Sequence, residues 1–247
     1  MELGLSGRTA LVFGASSGLG LATAEALAEE GAGVALFARR ADVLEREAER
    51  IGGLALPGDV TSAADLERAV TATIERFGGL DVLVWNGGGP KPGGARAADD
   101  DALDAAYRLV LRPAITLVRL ALPHLERSTA GRIVAITSLA AQEPTTHLAL
   151  SNTFRPGVTG WLKTLSREVG PLGITVNCVA PGRIATARLD ELYPDGPTEE
   201  QLDEIALGRW GEPRELGDVV CFLASARAAY VTGQTVVVDG GMKRFLF

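Results

Sequence analysis

Residues 9–27 read TALVFGASSGLGLATAEAL and carry the clearest local structural signal in the chain. An apolar run at 9–14 leads directly into a turn with Gly14, Gly18 and Gly20, and an amphipathic helical pattern follows. Glycine lets the backbone turn sharply and approach a ligand closely, because it carries no Cβ. The free N–H groups at the start of a helix attract anions. The stretch therefore predicts a strand, a phosphate-binding turn and a helix.

Short apolar runs recur along the chain and alternate with longer helical patterns. Such runs are typical of parallel strands covered on both faces, and helices between them imply right-handed crossovers. The sequence predicts a Rossmann-like, doubly wound α/β fold: a mostly seven-stranded parallel sheet with helices on both faces, in a single domain over residues 1–247. The predicted strands are 9–14, 33–38, 54–60, 81–86, 132–138, 174–180 and 234–241, and the clearest helices are 21–31 and 63–78.

Composition limits the partners and the location. The 247 residues are 47% hydrophobic, 22% charged and carry a net charge of −7. This acidic balance argues against nucleic acid and anionic membrane surfaces as partners, and no apolar run reaches the length of a membrane span. Two histidines and two cysteines without a cluster predict no metal site. We expect a cytoplasmic protein in which Cys178 and Cys221 are reduced core residues.

The second predicted strand ends in FARR, which bears on the choice of nucleotide. Folds that prefer NAD place an acidic residue here to bind the ribose 2′-hydroxyl. This chain has Ala38 at that position, followed by Arg39 and Arg40. Guanidinium groups bind phosphate through paired hydrogen bonds, so NADP(H) is favoured over NAD(H). The alternative is that both arginines are simply solvated at the start of a helix.

From end to end the chain resembles the short-chain dehydrogenase/reductases, and especially the 3-oxoacyl-(acyl carrier protein) reductases. The motifs that carry the likeness are GASSGLG at 14–20, GDV at 58–60, NGGG at 86–89, ITS at 136–138, VAPGRIAT at 179–186 and AYVTGQTVVVDGG at 229–241. The resemblance implies hydride transfer to a small-molecule carbonyl and assembly as a homotetramer or homodimer. With the two arginines above, the predicted cofactor contacts are Gly14, Ser16, Ser17, Gly18, Leu19, Gly20, Arg39, Arg40, Asp59, Val60, Asn86, Gly87, Gly88, Arg155, Pro181, Gly182, Ile184 and Thr186.

The resemblance also implies four catalytic roles, and the sequence departs from three of them. Ser138 supplies the serine that orients the carbonyl. Ser151 stands in place of the tyrosine that passes the proton, Arg155 in place of the lysine that holds the cofactor ribose, and Val110 in place of a water-binding asparagine. An aliphatic hydroxyl, with a pKa of ~15.7 against ~10 for a phenol, is a far weaker acid. The candidate catalytic residues are Ser138, Ser151 and Arg155.

The side chains around these positions leave several alternatives open. Arg155 keeps a fixed charge and a fork that reaches ribose hydroxyls, or else it turns toward solvent or a carboxylate. Lys163 lies eight residues further on and is too distant to replace the lysine. Pro113 leaves the carbonyl of Leu109 without its helical donor, which predicts a kink beside Val110 that serves a bound water or packing alone.

Three further residues were weighed as substitute proton donors. His147 lies four residues before Ser151, and histidine is a residue type that commonly acts as a general acid, but a histidine in a surface loop also fits. Tyr193 falls in a segment at 186–211 that is rich in proline, glycine and charge and is expected to form a mobile lid, where a packing role suffices. Tyr107 is expected in the core. None of the three is assigned as the acid.

Two functions therefore remain. The preferred one is an NADP(H)-dependent carbonyl reductase with an atypical or impaired proton donor, which Ser138 and the 179–186 motif favour. The other is a catalytically inactive dinucleotide-binding relative that acts as a sensor or a structural subunit. The replacements at 151 and 155 favour that second function.

Overall fold

The glycine-rich stretch forms the predicted strand, turn and helix. The computed structural model describes residues 2–246. Strand β1 spans Thr9–Phe13 with every residue buried, and helix α1 spans Gly18–Glu29. The helix begins at Gly18 and not at residue 21, because the last glycines of the turn already have helical hydrogen bonding. Its first N–H groups consequently point out of the turn, where an anion is stabilised.

Seven strands form one parallel sheet in the order β3-β2-β1-β4-β5-β6-β7, which confirms the predicted fold. The other strands are β2 Gly33–Ala38, β3 Leu54–Pro57, β4 Val82–Asn86, β5 Arg132–Ile136, β6 Thr175–Pro181 and β7 Thr235–Val238. The other α-helices of residues 2–246 are α2 Ala41–Ile51, α3 Ala63–Phe77, α4 Asp100–Ala106, α5 Arg112–Leu125, α6 Ala149–Val169, α7 Ala187–Leu192, α8 Glu199–Asp203 and α9 Pro213–Ala224. The chain order reverses between β1 and β4, and ligands bind such sheets at that point.

Strands β3 and β7 show the largest differences from their apolar runs, since each ends three residues earlier than predicted. Strand β3 ends at Pro57, because the N–H of Asp59 bonds the Asp65 carboxylate of α3 at 2.9 Å instead of continuing the ladder. Strand β7 ends at Val238, because Gly240 and Gly241 adopt φ values of 66° and 83°, which are incompatible with an extended strand. Apolar composition alone does not reveal either turn.

The core lies in two layers, one on each face of the sheet. Alternate residues of β1 enter different layers: Val12 packs with α1, α2 and α9, whereas Leu11 packs with α3, α5 and α6. Both side chains have no exposed surface. This explains why the strands read as continuous apolar runs, since neither face meets water.

The helix beside the missing asparagine is interrupted, as Pro113 predicts. A π-helical segment, Tyr107–Leu111, joins α4 to α5, and the N–H of Arg112 bonds the carbonyl of Tyr107 across the widened turn. Val110 is 2% exposed and packs in the core, so no polar side chain replaces the asparagine. Whether a water binds the freed carbonyl stays a prediction.

The expectation that Tyr107 belongs to the core is wrong. Its side chain is 43% exposed, with its ring 6.4 Å from that of Phe154 on α6. Residues three apart share a face of a regular α-helix. The wider π turn rotates Tyr107 away from the face that buries Val110, and the sequence pattern does not show this change of phase.

The segment at 186–211 folds as the short helices α7 and α8. Its ends meet in a parallel bridge between Ile184 and Gly211. Arg183, just before the segment, contacts α8 and the residue after it, with a 2.7 Å bond to the carbonyl of Gln201 and a 2.6 Å ion pair to Glu204. The segment is thus an insertion on the main sheet, and its movement as a lid stays a prediction.

Both cysteines are buried and free. Burial raises the pKa of each thiol to about 12, so neither forms the reactive thiolate near neutral pH. Over residues 2–246, no helix has both the length and the apolar character that crossing a bilayer requires. In the same part of the chain, no cluster of three or more histidine, cysteine or acidic side chains is placed to hold a metal ion.

Candidate active site

The site lies at the carboxyl ends of β1 and β4, where the chain order of the sheet reverses. Gly14 follows β1 with φ 64°, and a Cβ on it would lie 2.5 Å from the carbonyl oxygen of Asn86. A Cβ on Gly20 would lie 2.2 Å from the carbonyl oxygen of Gly14. The amide of Asn86 also donates to that carbonyl at 3.4 Å. Asn86 therefore positions the phosphate turn, and glycine is required at both places.

Arg40 lies over the same turn. Its Nη2 donates to Ser17 Oγ at 3.0 Å and to Ser16 Oγ at 3.3 Å. Arg39 and Arg40 are both exposed, so water solvates them in the free protein. Because Arg40 is directed at two hydroxyls of the turn, the arrangement differs from two arginines that merely begin a helix. Arg40 and the two serines form a compact group of donors beside Ala38.

Two of the predicted cofactor contacts, Asp59 and Val60, follow β3. The Oδ1 atom of Asp59 accepts hydrogen bonds from the N–H and the hydroxyl of Thr61, each at 2.8 Å. These bonds fix the orientation of the Asp59 carboxylate. Val60 is partly buried and packs against the core layer of α3.

The glycines after β4 have different roles. A Cβ on Gly87 would lie 2.4 Å from the ring of Trp85, so Gly87 is needed for packing. A Cβ on Gly88 would meet Leu109 at an ordinary 3.7 Å. At Gly89, the nearest atoms to a Cβ would belong to two arginines, Arg155 at 3.8 Å and Arg188 at 3.9 Å.

The motif after β6 joins the 186–211 segment to the phosphate turn. Gly182 packs against Asp239, which a Cβ would approach to 2.5 Å. Ile184 is 5% exposed. Thr186 caps α7 by accepting a bond from the N–H of Leu189 at 3.4 Å, and its Cγ2 would lie 3.3 Å from a Cβ on Gly18. Pro181 ends β6, so the motif as a whole leads from the sheet edge to Gly18.

Ser138 and Ser151 lie on neighbouring elements. Ser138 follows β5 and its Oγ accepts a bond from the N–H of Ala140 at 3.1 Å, which begins the 3-10 turn Leu139–Ala141. Helix α6 packs on that turn and carries Ser151, which is 6% exposed. Both serines are thus held on rigid elements.

Arg155 turns inward and not toward a carboxylate. Its side chain is partly buried, and Nη1 donates to the carbonyl of Thr137, the residue before Ser138. Burial lowers the pKa of Arg155 to about 10, and the charge of Arg188 adds to the effect. At neutral pH the guanidinium still carries its proton, because this value lies well above 7.

The other residues considered as substitutes have structural partners. Lys163 donates to the carbonyl of Gly233 at 2.7 Å, so it is occupied by a structural partner and not by Ser138 or Ser151. Tyr193 packs on Trp210, with ring centroids 6.0 Å apart, and the guanidinium of Arg183 lies 5.7 Å from its ring centre. The packing role of Tyr193 in the 186–211 segment is therefore the one observed.

His147 is exposed and adopts φ 62°, the one non-glycine residue among 2–246 in that region. Its carbonyl accepts a 2.7 Å bond from Gly93, which fixes the loop before α6. A role for its ring in proton transfer stays a prediction. Arg188 is the site residue that sequence reasoning missed: it follows the 179–186 motif by two positions, and only the fold brings it to Gly89.

Comparison with known proteins agrees with this geometry. A family model described as enoyl-(acyl carrier protein) reductase matches residues 14–243. Human dehydrogenase/reductase SDR family member 4 is 32% identical over 96% of this chain and 88% of the relative. The 3-oxoacyl-[acyl-carrier-protein] reductase FabG of Thermotoga maritima is 33% identical over 96% of this chain and 98% of the relative.

Solved structures give the same result. The L-sorbose reductase of Gluconobacter frateurii, determined with NADPH and L-sorbose, has a TM-score of 0.92 and 32% identity, with all of both chains covered. YwfH, described as an NADPH-dependent reductase involved in bacilysin biosynthesis, has a TM-score of 0.93 and 27% identity over 97% of this chain and 99% of that one. On its fold, its motifs and these relatives, the chain belongs to the short-chain dehydrogenase/reductase family of oxidoreductases.

Proposed function

We propose that the chain is an NADP(H)-dependent oxidoreductase that transfers a hydride to a small-molecule carbonyl, in the manner of 3-oxoacyl-(acyl carrier protein) reductases but with an atypical proton donor. The observation that carries the coenzyme choice is the position of Arg40 over Ser16 and Ser17. One guanidinium and two hydroxyls suit a 2′-phosphate, and Ala38 places no carboxylate there to repel it. The NADPH-linked descriptions of the two structural relatives support the same choice.

The turn itself fits a pyrophosphate. Gly14 and Gly20 bring the backbone close to β4 with no side chain between, and α1 begins at Gly18 with its N–H groups free. When bound, the coenzyme supplies the hydride. Thr186, packed against Gly18, is in place to contact the same phosphates.

At the carbonyl, Ser138 is the proposed orienting group. Because its Oγ accepts from the N–H of Ala140, its own proton is left for the substrate oxygen. Arg155 is charged at neutral pH and bonds the neighbouring carbonyl of Thr137, so it stabilises negative charge that develops nearby. Ser151 is a poor acid, weaker than a phenol by up to ~8 kcal/mol. We therefore expect turnover that is slower by ~10²–10⁴-fold than with a phenol.

Two measurements test this function. Fluorescence titration of the purified chain with NADPH and with NADH compares the affinities for the two coenzymes, and NADPH is expected to bind more tightly. The loss of NADPH absorbance is then followed with a panel of ketones and 3-oxoacyl thioesters. Slow oxidation with some member of the panel is expected. If neither nucleotide binds, the coenzyme site and the proposed reaction both fail.

The second candidate is a dinucleotide-binding protein without turnover, acting as a sensor or a structural subunit. Val110, Ser151 and Arg155 favour it, since each departs from the catalytic residue of the family. NADPH binding with no oxidation across the whole panel is the result that selects this candidate. Both candidates predict the same nucleotide affinities, so turnover alone separates them.

Three further properties stay predictions of the proposed function. A homotetramer or homodimer is tested by light scattering on the eluted chain, and a cytoplasmic location by fractionation of the source cells. Closure of the 186–211 segment over a bound substrate is tested by its protection from protease when NADPH is added.

A further inference from the structure

Two arginines face one point in the catalytic cleft. The Nη2 atoms of Arg155 and Arg188 would lie 3.8 Å and 3.9 Å from a Cβ on Gly89. Arg155 comes from α6 and Arg188 from α7, so the fold brings them together from distant parts of the chain. Glycine at position 89 leaves the space between them free of a side chain.

The charge of Arg155 has no partner of opposite sign within residues 2–246. Its Nη1 donates to the carbonyl of Thr137. The neighbouring charge that influences the Arg155 guanidinium is the positive charge of Arg188. Taking a guanidinium out of water costs free energy unless an anion pairs with it. The residue as a whole is half-buried, so its burial is not complete.

Arg188 is held in place but not neutralised in the cleft. Its Nη2 donates to the carbonyl of Pro90 at 3.3 Å, which fixes the guanidinium beside Gly89. Its Nη1 pairs with Glu191 at 3.0 Å, but both side chains are well exposed, at 47% and 67%. An exposed pair of this kind contributes little free energy. It leaves the face toward Arg155 available.

We propose that Arg155 and Arg188 form an anion-binding subsite that receives a carboxylate or phosphate of the substrate, so that the preferred substrates are carbonyl compounds that carry an anionic group, such as oxo acids. The subsite adjoins Thr137 and hence Ser138, the residue proposed to hold the carbonyl oxygen. An oxo acid places its two functional groups on these two partners at once. Planar carboxylates and phosphates match the guanidinium fork through paired hydrogen bonds. This inference rests on the proposed function for the coenzyme site and for turnover, but its binding test needs no turnover.

The anion that binds the two arginines could come from the substrate or from a phosphate of the coenzyme, and the experiment distinguishes these two sources. The NADP⁺ complex of the full chain is titrated by calorimetry with 4-oxopentanoate and, in parallel, with its methyl ester. This dead-end complex needs no turnover, so the result holds for an active or an inactive protein. We expect the acid to bind at least about tenfold more tightly than the ester, as charged hydrogen bonds of ordinary strength provide.

Variants then locate the effect. Arg188→Leu is expected to abolish the preference for the acid while it leaves the NADPH affinity unchanged, and Arg188→Lys is expected to restore part of the preference. Arg46→Leu is the matched control, because Arg46 is exposed on α2 and its loss removes the same charge at a distance from the cleft. NADPH oxidation with the same acid and ester pair gives a second reading of the preference.

The outcomes distinguish the two proposals. Equal binding of acid and ester overturns the subsite, whether or not the protein reduces either compound. If Arg188→Leu weakens NADPH binding and leaves the preference for the acid unchanged, the two arginines bind a phosphate of the coenzyme. That result also overturns the substrate subsite. Acid-selective binding without any oxidation upholds the subsite and ends the reductase proposal instead.

Discussion

Replacing Arg155 by methionine is expected to make the free protein more stable. Burial lowers the pKa of this arginine from 12.5 to about 10, and that difference corresponds to a cost of about 3 kcal/mol for the charged form. The hydrogen bond to the carbonyl of Thr137 offsets about 1 kcal/mol of that cost. Methionine of similar length keeps the packing without a charge. The net gain is about 2 kcal/mol, which raises the Tm of a chain of this size by about 4–8 °C.

The pH dependence of that gain has a fixed direction. The folded-state pKa of Arg155 lies below its ordinary value, so burying the charged side chain destabilises the folded protein fully at every pH below about 10. The destabilisation disappears only as the pH rises through and beyond that value, where the buried group loses its proton. The gain in Arg155→Met is therefore constant from pH 6 to 9. Thermal unfolding followed by circular dichroism, with and without NADPH, measures it.

An exposed arginine and the bound coenzyme provide the controls for Arg155→Met. Arg46→Met changes an exposed arginine and is expected to leave the free energy of unfolding within about 0.5 kcal/mol of the parent. NADPH is expected to stabilise the parent more than Arg155→Met, since the variant loses a contact to the coenzyme. A Tm of Arg155→Met below that of the parent, without coenzyme, would refute the view that Arg155 carries an uncompensated charge.

Three further results are expected. Gly14→Ala places a Cβ 2.5 Å from the carbonyl oxygen of Asn86 at φ 64°, and it should abolish NADPH binding measured by fluorescence. Gly52→Ala has a similar φ of 68° but open space around the Cβ, so it should cost only about 1–2 kcal/mol of stability by denaturant titration and leave NADPH binding intact. An equal loss of NADPH binding in both variants would mean that backbone strain, and not the close approach to Asn86, is responsible. Arg40→Ala should weaken NADPH about tenfold, or about 1.4 kcal/mol, and leave NADH unchanged in the same titration; a parallel loss for both would remove the 2′-phosphate assignment. Cys178, with its pKa raised to about 12, should react with a thiol reagent at pH 8 only after unfolding, and rapid labelling of the native chain would contradict its burial.

Local pattern was sufficient for the sheet and for the phosphate turn. Strands buried on both faces leave a continuous apolar signature, so all seven were found from the sequence, and the strand–glycine–helix stretch located the turn. Apolar composition does not predict the ends of β3 and β7, because β3 ends where the N–H of Asp59 donates to the Asp65 carboxylate and β7 ends at two glycines with positive φ. Tyr107 was misplaced because a π turn changes the phase of the helix without changing its composition.

The catalytic cleft was only partly predictable. Ser138, Ser151 and Arg155 were identified by their place in a motif, but the direction of Arg155 depends on the Thr137 carbonyl that the fold brings near it. Arg188 carries no local signal, because an arginine in a charged surface segment looks solvated. Contacts between elements that are distant in sequence decided both cases.

We propose that the chain has kept its coenzyme site and has lost the acid that completes the reaction. The most direct test measures single-turnover oxidation of NADPH, with the best carbonyl of the panel, in the parent and in the double variant Ser151→Tyr/Arg155→Lys. We expect a rate increase of ~10²–10⁴-fold in the double variant, with the NADPH affinity little changed. A parent that already reacts as fast as the variant, with both binding NADPH equally well, would contradict it.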